Sequence, residues 1–130
     1  MARANTNTTR NKKTTVTAIC IPMGDEMLVI FFDDIDYIQA DNNCCKIYCS
    51  GESRPYLTRI PLKEIFTLLP SQLFSRIHDS YIVADGIIRK FNRHRTRVGI
   101  KNDIWLPVGR KYLPQLIERF PAAIAKSKSE

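Results

Sequence analysis

The sequence predicts a mainly β domain: elongated antiparallel sheets of about eight to ten short strands, one short helix between strand blocks and a short C-terminal helix. Three observations carry that expectation. Short runs rich in β-branched and aromatic residues recur from Thr14 to Val108, bounded by Gly, Pro, Asn or Asp. Helical periodicity with start and stop signals is clearest over Pro61–Leu69. A chain of 130 residues with 44% hydrophobic content suits one domain with a single core.

Thr14–Ile21 reads as the first strand, and Pro22-Met23-Gly24-Asp25 as the turn that closes it. Met27–Phe32 is a continuous apolar run, short enough for a buried strand. Asp33-Asp34 can cap a single helical turn through Ile35. Tyr37–Ala40, Lys46–Cys49 and Tyr56–Arg59 are extended, and the turns Asp41-Asn42-Asn43 and Ser50-Gly51-Glu52-Ser53 make them a meander. In Pro61–Leu69 the residues Leu62, Ile65, Phe66 and Leu69 form one apolar stripe; Pro61 suits the first turn and Pro70 stops the helix. A helix that short is marginal alone and needs a sheet to pack on.

Further strands follow at Phe74–Ile77, Tyr81–Val83 and Ile87–Asn92. Arg97–Ile100 and Ile104–Val108 form a hairpin across Asn102-Asp103, with Arg97, Gly99 and Lys101 on a basic face and Val98 and Ile100 on an apolar one. Leu113–Phe120 has Pro114 in its first turn and Leu113, Leu116, Ile117 and Phe120 on one face. Residues 1–13 read as a disordered arm or linker, 14–121 as the domain and 122–130 as a frayed tail.

The net charge of +7 is unevenly placed. Residues 1–60 hold seven basic and seven acidic side chains; residues 61–130 hold thirteen and six. Within Gly86–Lys111 eight basic residues face a single acid, Asp103. Such an excess attracts polyanions, although a solvated charged face, RNA or an anionic membrane surface fits the same cluster. No apolar run reaches the roughly 18–20 residues of a membrane helix, and the polar N-terminus is no secretory signal, so a cytoplasmic location is expected. Cys20, Cys44, Cys45 and Cys49 are too few for a disulfide scaffold and lack a C-x-x-C pair; reduced thiols without metal are expected. His78 and His94 have no carboxylate at ligand spacing. Without a phosphate loop, nucleophile elbow or paired-carboxylate motif, the chain reads as a non-enzyme with no cofactor.

Duplex recognition needs cations on a firm scaffold for phosphates, and a few donors that reach base edges. Arg76, His78, Arg89, Lys90, Arg93, Arg95, Arg97, Arg110 and Lys111 supply the cations. Arg110 follows a strand, where a guanidinium can fork onto guanine O6 and N7. No long basic amphipathic helix is available to enter a groove, so loops or strand ends must read.

Two segments resemble the signatures of the LytTR family of bacterial DNA-binding domains. Phe74-Ser75-Arg76-Ile77-His78-Asp79-Ser80-Tyr81-Ile82-Val83 is similar to F-x-R-x-H-R-S-Y-I-V-N, and Leu106-Pro107-Val108-Gly109-Arg110-Lys111-Tyr112 to L-P-V-S-R-R-Y. Asp34-Ile35-Asp36-Tyr37-Ile38-Gln39-Ala40-Asp41-Asn42-Asn43 looks like the family's D-I-x-Y-I-E-A-x-x-N, and Pro61-Leu62-Lys63-Glu64-Ile65 like its S-L-K-E-L helix. The resemblance spans about Ile19 to Leu116. It implies sequence-specific double-stranded DNA binding in transcription regulation, by the effector part of a two-component, phosphorelay response regulator or by a stand-alone regulator. It also implies that loops do the reading, two in successive major grooves and one at the minor groove between them. Carried over by position, the first loop holds Asn42, Asn43, Cys44 and Lys46, the second His78 and Asp79, and the third Arg110 with Lys111. Implied partners are duplex DNA, a second copy on a direct-repeat site, and an upstream receiver domain or sensor partner.

Three positions depart from the pattern. Asp79 stands where the family has Arg or Asn, Ala84 where it has Asn, and Gly109 where it has Ser. A solvated carboxylate near phosphates is repelled by up to ~1 kcal/mol; Asp79 can instead accept from a cytosine amino group or pair with Arg76 or His78. Each candidate also has a plainer role: Arg76 as a surface strand residue, His78 as a structural histidine bonded to backbone, Trp105 and Tyr112 as packing. A protein-interaction module on the same fold, with weakened DNA binding, is the alternative reading. An RNA-binding β-domain would show aromatics on an open sheet face, and the basic segment 86–111 has only Phe91 and Trp105.

Overall fold

The computed structural model describes residues 16–123; the arm expected over 1–13 and most of the tail expected over 122–130 lie outside the described residues. The expected mainly β fold is what the chain adopts: the described residues form three antiparallel sheets and two short α-helices.

β1 (Ala18–Met23) and β2 (Glu26–Phe31) make a two-stranded ribbon that turns at Gly24-Asp25, where Gly24 takes φ 63°. Glycine enters that left-handed region without a Cβ clash. The strand therefore runs on through Pro22, which the sequence placed in the turn. In a ribbon each strand has an open edge, where the missing N–H of proline costs no ladder bond. The apolar run was expected to be buried, but β2 turns Met27 and Val29 outward at 62% and 50% exposure and buries only Ile30. A two-stranded ribbon packs one face, so alternation wins over composition. A single 3-10 turn, Phe32–Asp34, follows as expected and ends one residue early.

The central sheet runs β5-β4-β3-β7-β6, from β3 (Ile35–Asp41), β4 (Cys44–Cys49), β5 (Tyr56–Thr58), β6 (Phe74–His78) and β7 (Tyr81–Ala84). The three-strand meander is present as read. Between β5 and β6 lies α1 (Leu62–Leu68), with Pro61 as its extended N-cap rather than inside the first turn. Leu62, Ile65 and Leu69 are buried, and Phe66 packs at the margin of the same cluster.

A third sheet, β8-β9-β10, comprises β8 (Ile88–Phe91), β9 (Arg97–Ile100) and β10 (Ile104–Pro107). α2 (Leu113–Arg119) follows and buries Leu116, while Ile117, expected inward, is 45% exposed. Leu116 faces the sheet, while the adjacent Ile117, about 100° further round the helix, clears it, and Phe120 packs back against the same cluster.

The expected single core is two clusters, because the central sheet is covered on both faces. On one face Ile38, Cys45, Ile47, Phe74 and Ile82 meet the ribbon's Ile19, Ile21 and Ile30 and the helical Leu62 and Ile65. On the other face Ile77 and Val83 meet Val98, Ile100, Leu106 and Leu116. A polar joint ties the second layer down: the Asp85 carboxylate accepts from Ser75 Oγ at 2.6 Å and from Arg119 Nε at 2.9 Å.

Candidate nucleic-acid interface

Strand register gathers the chemistry-bearing turns at one end of the central sheet. β3 and β4 close across Asn42-Asn43, both exposed, with Asn42 left-handed at φ 59°. Asparagine tolerates that conformation better than most residues. β7 runs antiparallel beside β3, and the Ala40 N–H donates to the Ser80 carbonyl at 2.8 Å. That bond sets the His78–Ser80 turn next to the Asn42 hairpin. Gly109 N–H then donates to the Ile77 carbonyl at 2.7 Å, which fastens the Gly109–Tyr112 turn to the outer edge of β6. Val108 N–H donates to the Thr96 carbonyl at 2.8 Å, so the basic β8–β9 turn adjoins the same row. At about 4.8 Å per strand, the Asn42 and Gly109 turns stand roughly 17 Å apart before side chains extend.

The opposite end of the sheet is acidic. Asp33 and Asp34 lie in the 3-10 turn that leads into β3, Asp36 is near its start, and Glu52 follows β4. Burial, followed by the charges of Asp34, Asp36 and Glu52, pushes the Cys49 thiol up to about 11. Lys101 neutralises part of this end through Asp36 at 3.0 Å.

The structure sorts the expected contact residues into free and engaged. Arg110 is exposed, and no described residue holds its guanidinium; the same is true of Arg93 in the β8–β9 turn. Lys46 is paired across its own hairpin with Asp41 at 3.0 Å, which raises its pKa. Cys44 is half-buried beside it. Arg89 donates to the Gly86 carbonyl at 2.8 Å. Lys90 lies 5.4 Å from the Trp105 ring centre and 4.0 Å from Asp103, with Arg97 4.9 Å from the same ring. Arg95 turns away from the row, donating to the Phe120 carbonyl at 3.3 Å.

Around the second turn the side chains serve the backbone first. Arg76 donates from Nε to the His78 carbonyl at 3.0 Å and from Nη2 to the Asp79 carbonyl at 2.8 Å. His78 Nδ1 accepts from Ser80 N–H at 3.0 Å, so the neutral ring carries its proton on Nε2. The half-buried histidine is thus a turn former that keeps one donor. Asp79 pairs with neither Arg76 nor His78 through its carboxylate. Its Oδ1 accepts from Tyr112 Oη at 2.7 Å and lies 3.2 Å from Lys111 Nζ. The Tyr112 hydrogen bond, then that of Lys111, hold its pKa below the usual carboxylate range. Sequence reasoning took Tyr112 for packing. The signal for its hydroxyl was the carboxylate at position 79, thirty-three residues away in sequence.

Chemically, the row is a set of short turns with backbone fixed by strand ladders and two unengaged guanidiniums. Both helices are seven residues long and pack against sheets, so neither can serve as a groove-reading helix. Among the described residues no helix is long and apolar enough to cross a membrane, and no group of three or more His, Cys, Asp or Glu is placed to hold a metal.

Fold and turn placement together describe an all-antiparallel domain that presents a row of loops carrying free cations. A profile of the LytTr DNA-binding domain family matches residues 25–120, and the chain belongs to that family. Among solved structures, it is similar to a LytTr DNA-binding domain from Bacillus cereus, from a protein described as a methyl-accepting/DNA response regulator. The TM-score is 0.67 at 18% identity, over 83% of this chain and all of the other. A search of curated proteins finds no match.

Proposed function

We propose that this chain binds duplex DNA with sequence preference through the row of turns at the Asn42–Arg110 end of the central sheet, and that it acts so in transcription regulation. The observation that carries the reading is the free, exposed Arg110 on a turn locked to β6. A guanidinium without an internal partner keeps all its donors for a ligand, and its fork matches guanine O6 and N7. Arg93, equally free, is suited to phosphate. Asn42 and Asn43 supply neutral donors and acceptors at the other end of the row, and His78 keeps one donor in the middle. The acidic far end orients the domain, since a polyanion is drawn to one pole and repelled by the other.

The domain serves as the effector part of a response regulator or as a stand-alone cytoplasmic regulator. An upstream receiver or sensor would be its input, and a second copy on a direct repeat its neighbour on DNA. The test is a titration against a duplex selected from random sequence and its scrambled counterpart at several salt concentrations. Arg110→Ala is expected to cost about 1–3 kcal/mol on the selected duplex and much less on the scrambled one. Arg93→Ala is expected to weaken both equally and to flatten the salt slope by about one. Equal loss on both duplexes for Arg110→Ala would place the specificity in another turn. Absence of wild-type binding even at low salt would favour a protein-interaction module.

A further inference from the structure

Four contacts join the second turn to the third, and all of them flank Arg110. Asp79 Oδ1 holds Tyr112 Oη at 2.7 Å and Lys111 Nζ at 3.2 Å. Gly109 N–H donates to the Ile77 carbonyl at 2.7 Å. The Arg76 guanidinium, already bonded to the His78 and Asp79 carbonyls, lies 5.5 Å from the centre of the Tyr112 ring. A Cβ on Gly109 would meet His78 Cα at 3.6 Å, an ordinary contact, and the Tyr112 ring at 3.2 Å, so glycine relieves a squeeze of a few tenths of an ångström against Tyr112. Its φ of −78° is ordinary, so space and not backbone conformation is what glycine supplies. Two of the departures from the family pattern, Asp79 and Gly109, therefore both adjoin Tyr112.

We infer that Asp79 is a positioning residue, whose carboxylate clasps the Gly109–Tyr112 turn to the His78–Ser80 turn and so sets the direction in which Arg110 leaves the scaffold. The inference rests on the DNA reading of the same site. Bidentate contact with a base edge tolerates little error in approach, so a reading side chain gains when its backbone is fixed before binding. An arginine at position 79 has no acceptor and could not take the Tyr112 hydroxyl proton. The clasp has a consequence for affinity. Lys111, paired with Asp79 at an exposed site, offers a phosphate less of its charge, so general affinity is lowered while preference is kept.

Binding of wild type, Asp79→Ala, Asp79→Asn and Tyr112→Phe to the selected and scrambled duplexes across salt separates this from simple charge repulsion. Asp79→Ala should lower the selected-to-scrambled ratio about tenfold while steepening the salt slope by about one, as Lys111 is released. Asp79→Asn keeps an acceptor for Tyr112 and should rescue most of the ratio while the slope still steepens. Tyr112→Phe should lose the ratio without steepening the slope, and combined with Asp79→Ala should be no worse than Asp79→Ala alone. Equal tightening on both duplexes for Asp79→Ala, with the ratio unchanged, would overturn the inference. Amide hydrogen exchange on the free protein gives a readout that needs no DNA. The amides of Gly109 and Tyr112, bonded to the Ile77 and Gly109 carbonyls, should exchange faster in Asp79→Ala than in wild type or Asp79→Asn. Unchanged exchange in Asp79→Ala overturns the clasp by itself, whereas wild type that binds neither duplex removes the DNA reading by itself.

Discussion

Replacing Asp85 with alanine removes the polar joint between the central sheet and α2. Its carboxylate accepts from Ser75 Oγ at 2.6 Å, from Arg119 Nε at 2.9 Å and from Arg119 Nη2. Ser75 is only 3% exposed, and the Arg119 and Asp85 side chains 24% and 20%. Solvent screening is therefore partial. Bonds to a charged group contribute about 1.5–3 kcal/mol, and a buried hydroxyl left without its acceptor costs about 1–3 kcal/mol more. Allowing for overlap and for water reaching Arg119, Asp85→Ala should lose about 3 kcal/mol. Against a typical total of roughly 5–15 kcal/mol that is a large share. Asp85→Asn keeps an oxygen for Ser75 and should lose about half as much. Urea denaturation of both variants, followed by circular dichroism and extrapolated linearly, measures this. Values for both within about 0.5 kcal/mol of wild type would refute the reasoning and show the joint to behave as a screened surface pair.

Two further outcomes follow from the packing. Burial, aided by the charges of Tyr48, Tyr81 and Asp36, pushes the Tyr37 phenol up to about 12. A folded value above the unfolded one, about 10, means that stability is intact below that pH and is lost as pH rises from about 10 through about 12. A late tyrosinate absorbance step that disappears in Tyr37→Phe, together with a shallower alkaline loss of stability, would confirm it. On Gly99 a Cβ would meet Lys90 Cγ at 2.9 Å and Trp105 Cη2 at 3.3 Å. Overpacking of about 1–3 kcal/mol should outweigh a backbone-entropy gain of about 0.4–1 kcal/mol, so Gly99→Ala should lower the urea midpoint and change Trp105 emission.

The ten strands were legible because each is a local matter of alternation and turn chemistry. Gly24, the Asn42-Asn43 pair and the Pro61–Pro70 brackets carry their signals within a few residues. Pro22 lies within a strand, and Met27 and Val29 face outward, because strand ends and the burial of a face depend on what packs opposite. A ribbon with one covered face exposes half of an apolar run, which composition cannot foresee. The place of Arg110, on a turn just after a strand, was legible in the sequence.

By itself, then, the sequence determined the strand alphabet, the helix between blocks, the basic C-terminal half and the family. Tertiary structure alone decided which of the cations are free. Lys46, Lys90, Arg95 and Lys111 look like Arg93 and Arg110 in sequence, yet each has a partner supplied by register or by a distant segment, and Arg89 bonds back to the Gly86 carbonyl beside it. Asp79 is the clearest case. Its neighbours in sequence suggested Arg76 and His78, but its carboxylate found Tyr112 and Lys111, because Gly109 N–H bonds Ile77 and draws two remote turns within hydrogen-bond reach. Charge is a property of a residue, whereas availability of charge is a property of the contacts around it, and those are set only when the chain closes on itself.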